Sequence, residues 1–78
     1  MEYTELVERF EMGEEFQFYY KNDSYWISQN EEEYFLTREK DSFSQSFESA
    51  RELFAKGKID DKTILELWDN IEISKRMF

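Results

Sequence analysis

The 78 residues carry 19 acidic and 10 basic side chains, a net charge of −9, with no histidine and no cysteine. Those two absences exclude a zinc site of ordinary ligand type, a thiolate nucleophile, a disulfide and a histidine general base. The acidity opposes direct binding to nucleic acid or to an anionic membrane, because phosphate repels it.

No apolar run approaches the roughly 20 residues of a membrane span, and the first residues lack the basic-then-apolar order of a signal peptide. The expectation is a cytoplasmic protein. A core in a domain this small buries only about 60–65% of the chain's surface. An aromatic content of 19% compensates, because each ring buries about 150–250 Å². Proline, Gly/Ser-rich linkers, low-complexity segments and repeats are all absent, so residues 1–78 read as one domain.

Residues 4–12 (Thr4-Glu-Leu-Val-Glu-Arg-Phe-Glu-Met12) predict a helix. Thr4 is its expected N-cap, Gly13 its C′ residue, and Tyr3, Leu6, Val7 and Phe10 its apolar stripe. About nine residues do not hold a helix alone in water, so this one must dock. Strands are expected over about 14–21, 24–29, 33–38 and 42–47, an antiparallel meander. The first two form a hairpin with Asn22-Asp23 at its tip, since both residues tolerate left-handed backbone. That tip pairs Tyr20 with Tyr25, Tyr19 with Trp26 and Phe18 with Ile27. A short second loop sets Ile27 opposite Leu36 and Ser28 opposite Phe35. Phe16, Phe18, Tyr20, Tyr25, Ile27, Tyr34, Leu36, Phe43 and Phe47 then share the inner face.

Two short helices follow, over about 50–56 and 61–70. Ser49-Ala-Arg-Glu52 is a capping box for the first and Gly57 stops it. Asp60 or Asp61 is the expected cap of the second, whose stripe is Ile64, Leu67, Trp68 and Ile71, with Leu65 alongside. Trp68 is read as core. Ile71-Glu-Ile-Ser either ends the helix or begins a short edge strand, the extended form being preferred. Within the C-terminal tail, 74–78, the residues Lys75-Arg-Met-Phe78 are read as frayed. The fold class is α+β: an N-terminal helix, a four-stranded meander and two short C-terminal helices.

No catalytic constellation emerges. Serines have no histidine to activate them, and two glycines cannot supply a phosphate-cradling loop. Asp60, Asp61, Glu66 and Asp69 lack the alternation of a calcium loop. Neither metal nor cofactor is expected, and the chain is not read as an enzyme. The outer face of the meander is the candidate surface. There Tyr19, Trp26 and Phe35 form an aromatic patch rimmed by Gln17, Ser28, Thr37 and Ser44. Two other readings compete: simple cross-strand pairing, and burial of the patch under the N-terminal helix. Lys21, Arg38 and Lys40 are too few to make the patch a base-stacking platform for RNA.

Phe18-Tyr-Tyr20, Tyr25-Trp-Ile27, Ile59-Asp-Asp-Lys-Thr-Ile-Leu-Glu-Leu-Trp68 and Ile71-Glu-Ile73 together resemble small acidic uncharacterised α+β proteins of Gram-positive bacteria and their mobile elements. The resemblance implies a bacterial cytoplasmic domain and no assigned activity. The leading expectation is a non-catalytic protein-binding module of inhibitor, immunity or adaptor type, with a basic partner anchored on Tyr19, Trp26 and Phe35. An acidic DNA mimic acting through Glu31, Glu32 and Glu33 is the first alternative. A homo-oligomer built on the aromatic face is the second.

Overall fold

The computed structural model describes residues 1–76. In chain order they form α1 (Tyr3–Glu11), β1 (Glu15–Tyr20), β2 (Asp23–Gln29), β3 (Tyr34–Arg38), β4 (Phe43–Phe47), α2 (Ala50–Lys56), α3 (Ile64–Leu67), a 3-10 turn over Trp68–Asn70 and β5 (Glu72–Arg76). The fold is α+β as expected, and its antiparallel sheet runs β4-β3-β2-β1-β5. The meander therefore gains a fifth strand. The extended stretch after Ile71 pairs along β1, with Ile73 opposite Phe18 and Glu72 opposite Tyr19. Lys75 and Arg76 of the tail, expected to be frayed, belong to this strand. Residues 77 and 78 of that tail lie outside the described residues.

The β1–β2 hairpin turns one residue earlier than expected. Lys21 and Asn22 take the two left-handed positions, with φ of 49° and 67°, as a two-residue primed turn requires. Pairing shifts by two residues: Phe18 meets Tyr25, Tyr19 meets Ser24 and Gln17 meets Trp26. A two-residue shift keeps every side chain on its expected face, so the core survives the error. In the new register the rings of Phe18 and Tyr25 stack at 5.5 Å. The β2–β3 register is as expected, with Ile27 opposite Leu36 and Ser28 opposite Phe35.

All helices lie on the inner face. Phe10 of α1 packs edge-on against Tyr34 of β3 and Phe54 of α2, at 5.9 and 5.6 Å. Tyr3 meets Phe54 and Trp68 in the same manner. Leu6, Phe10, Phe16, Phe18, Ile27 and Leu53 are fully buried in one cluster. Each such side chain contributes about 1.5–3 kcal/mol on leaving water, far more than the helix propensity of nine residues supplies. Trp68 is only partly buried at the margin of this cluster. Phe43 is on the inner side but 57% exposed, because the helices do not extend over that end of β4. The Arg38 guanidinium lies 5.7 Å from its ring centre.

The caps differ in detail from the sequence reading. Thr4 lies inside α1, whose N-cap is Glu2 without a side-chain bond. At the other end Gly13 is as expected. With φ of +104°, it lets its own N–H reach the Phe10 carbonyl and the Glu14 N–H reach the Arg9 carbonyl, the paired bonds of a Schellman ending. Gln29 of β2 adds a second bond to the same Phe10 carbonyl, its Nε2 donating at 2.6 Å. Ser49 caps α2 by accepting from the Glu52 N–H, while the Glu52 carboxylate turns to Lys56. Asp60 and Asp61 cap nothing. They are the left-handed centre of a turn closed by Ile59 and Lys62, with φ of 53° and 64°. The cap of α3 is Thr63, which forms a full capping box with Glu66. The helix expected over 61–70 is thereby shortened to one α-helical turn and one 3-10 turn, and Leu65 faces solvent, 56% exposed.

Candidate functional site: the open face of the sheet

Alternation along the strands sends Gln17 and Tyr19 of β1, Ser24, Trp26 and Ser28 of β2, Phe35 and Thr37 of β3, and Ser44 and Ser46 of β4 to the outer face. Because α1 docks beside α2 on the opposite side, the reading that buries this patch under the N-terminal helix is removed. Among the described residues no helix covers the outer face.

Tyr19 is 43% exposed, and Trp26 and Phe35 are half-buried. The corrected register changes their relation. Tyr19 and Trp26 are diagonal neighbours, not opposite ones, since Gln17 stands opposite Trp26 and Ser24 opposite Tyr19. Trp26 and Phe35 are also diagonal, through Thr37 and Ser28. Diagonal positions lie about 7–8 Å apart, within reach of aromatic side chains. The three residues thus mark an oblique line across β1, β2 and β3.

Polar groups frame that line. Glu39, just past β3, accepts from Gln17 Nε2 at 2.6 Å and from Ser24 Oγ at 3.2 Å. Its carboxylate is thereby held on the sheet between strands, beside Tyr19 and Trp26 in register. Thr37 and Ser44 hydroxyls join at 2.7 Å. Glu39 is hard to find from sequence because it sits in a turn. The continued odd-numbered alternation after Phe35 and Thr37 was the available signal.

Glu31, Glu32 and Glu33 are exposed in the β2–β3 turn. Asn30 Oδ1 shapes this turn by accepting the N–H groups of Glu32 and Glu33, both at 2.8 Å. The three carboxylates are at the Phe35 end of the aromatic line, and Tyr19 is at the far end, next to the hairpin turn. The structure therefore brings Tyr19, Trp26 and Phe35 onto one face and leaves the acidic run at its margin. Of the expected basic cluster, Lys21 pairs with Asp60 at 3.5 Å and Arg38 with Asp41 at 2.7 Å.

A second concave surface was not anticipated. An open cleft of about 680 Å³ runs between α1 and the α2–α3 segment, lined among others by Tyr3, Val7, Glu8, Arg51, Phe54 and Leu65. Among the described residues no group of three or more carboxylates gathers as a metal site. No helix is long and apolar enough to cross a membrane. Comparison with protein-family models, with curated proteins and with solved structures finds no match.

Proposed function

We propose that this chain is a non-catalytic protein-binding module, of inhibitor, immunity or adaptor type, that presents the open sheet face to a protein with a basic surface. The observation that carries the reading is the line Tyr19–Trp26–Phe35 on a face left uncovered by the helices, with Tyr19 43% exposed. Tyrosine and tryptophan are the residue types that most often dominate interface energy. The net charge of −9 steers a basic partner toward such a surface without itself setting the affinity. The carboxylate of Glu39 and the row Glu31–Glu33 supply acceptors beside the rings and at their margin.

The test is affinity capture with the native chain, followed by measured binding of the captured protein to Tyr19→Ala and Trp26→Ala. Tyr19 is the cleaner probe, because its exposure makes truncation nearly neutral for folding. Either variant is expected to weaken binding tenfold or more. Folded variants that bind with unchanged affinity overturn the reading.

A further inference from the structure

The two edges of the sheet differ in chemistry. β5 carries Glu72, Lys75 and Arg76 within its five residues, charges of the kind that discourage a strand from pairing with another chain. β4, Phe43-Ser-Gln-Ser-Phe47, carries none, in a sequence that is 37% charged. It also reads the same in both directions. An antiparallel copy of this strand, centred on Gln45, sets phenylalanine on phenylalanine and serine on serine.

The backbone of β4 is oriented for such a pairing. Glu39 N–H donates to the Ser24 carbonyl and Asn30 N–H to the Glu33 carbonyl. In an antiparallel ladder this fixes the odd-numbered residues of β3 as those bonded to β2. Tyr34, Leu36 and Arg38 then bond to Phe47, Gln45 and Phe43 across the β3–β4 register. Ser44 and Ser46 are left with their N–H and C=O groups turned to the open edge.

We propose that β4 is a self-association edge, pairing with β4 of a second copy of this chain about a two-fold axis at Gln45. Ser44 of one copy meets Ser46 of the other as a hydrogen-bonded pair, and the axis repeats it. Phe43 of one copy meets Phe47 of the other as a non-hydrogen-bonded pair, the closer kind, with Cα atoms about 4.5 Å apart. That contact covers Phe43, which is 57% exposed in the single chain. Charge opposes this occupant only at long range. Two copies of net charge −9 repel at long range, yet the paired strands bring no carboxylate face to face. Salt screens the long-range term, so this association strengthens as salt rises. Five residues a side fall well short of the roughly 20–30 of a standard interface, so the dimer forms at high protein concentration. The proposal uses the sheet edge and does not depend on the reading of the open face.

Sedimentation velocity and light scattering, from dilute to millimolar protein at low and high salt, test it. The mass is expected to rise from 9.7 kDa toward twice that value, more readily at high salt. Amide exchange of Ser44 and Ser46 is expected to slow with concentration. Ser44→Pro removes an outward N–H, and Ser46→Glu adds a charge to the edge; each is expected to weaken self-association at least tenfold with the circular dichroism unchanged. Should the proline variant unfold, the Ser46→Glu variant decides. A strict monomer at millimolar concentration and high salt overturns the proposal and leaves the edge to an extended segment of another protein. A dimer that persists in the folded variants also overturns it and assigns self-association to another surface.

Discussion

Gln45 holds the main chain of Lys58 with both ends of its amide: Nε2 donates to the carbonyl at 2.8 Å, and Oε1 accepts from the N–H at 3.1 Å. This pair of hydrogen bonds ties the middle of β4 to the loop between α2 and α3. Gln45→Ala returns both Lys58 groups to solvent and is expected to cost about 1–3 kcal/mol, at a net 0.5–1.5 kcal/mol for each of the two hydrogen bonds. Urea denaturation measures it, with Ser46→Ala as a control expected within about 0.5 kcal/mol of native. Equal stability of the two variants would show that the loop is held by other contacts.

The two glycines are required for different reasons, and alanine separates them. At Gly57 the backbone is ordinary, φ −66°, but a Cβ would stand 2.5 Å from the Leu53 carbonyl oxygen and 3.2 Å from a Leu36 methyl. Gly57→Ala is expected to cost about 1–3 kcal/mol by overpacking. At Gly13 there is nothing within 4 Å of the added atom, but φ is +104°. Gly13→Ala is expected to cost about 1–2 kcal/mol through backbone strain alone. Chemical synthesis with D-alanine checks the cause at position 13, where a D residue accepts the positive φ and stability is expected to recover.

The Arg38 guanidinium bonds both carboxylate oxygens of Asp41 and holds its carboxyl down to about 2, from an ordinary 3.8. A carboxyl whose folded value is depressed stabilises the fold above its unfolded value, and that contribution is lost as pH falls through the folded one. The loss for Asp41 therefore runs from about pH 4 to about pH 2. Glu66 is lowered as well, first by the bond it accepts from the Thr63 N–H, and acts in the same direction. Arg38→Gln is expected to return Asp41 to the ordinary range, followed by NMR of the carboxyl carbon, and to flatten the acid limb of stability. An unmoved Asp41 titration would assign the depression to the Phe43 N–H instead.

Charge and rings are expected to control different rates in partner binding. Replacing Glu31, Glu32 and Glu33 together by glutamine should slow association and reduce its dependence on salt, since rim charges act on encounter. Tyr19→Ala should mainly speed dissociation, since buried anchors act on residence time. Surface plasmon resonance at two salt concentrations reads both. If the glutamates govern dissociation and Tyr19 has no effect, recognition runs through the acidic turn, as a mimic of nucleic-acid phosphates would require.

The sequence made the faces of the sheet legible and left several of its joints obscure. Alternation from Phe16 to Phe47 identified the inner residues even though the hairpin turn was placed one residue late. Parity survives a two-residue shift, and Lys21 gives no hint that it adopts φ of 49°. The outer position of Tyr19, Trp26 and Phe35 was legible on the same grounds; their diagonal relation was not, because it depends on the turn. Thr63-x-x-Glu66 was a readable capping box, masked by the adjacent Asp60-Asp61 pair, which has the composition of a cap and the geometry of a turn. Strand β5 was half legible. Ile71-Glu-Ile-Ser looked extended, but only the unfilled edge of β1 explains why pairing runs on to Arg76.

The place of β5 also orders the assembly of the molecule in time. Pairings β1–β2, β2–β3 and β3–β4 each close a short turn, whereas β1–β5 joins Glu15 to Arg76. Closing that long loop carries the largest entropic penalty and yields no contact until the rest of the chain is arranged. The meander is thus expected to form early and β5 late. The same strand is expected to be released first when the protein opens, its amides exchanging ahead of those of β2 and β3.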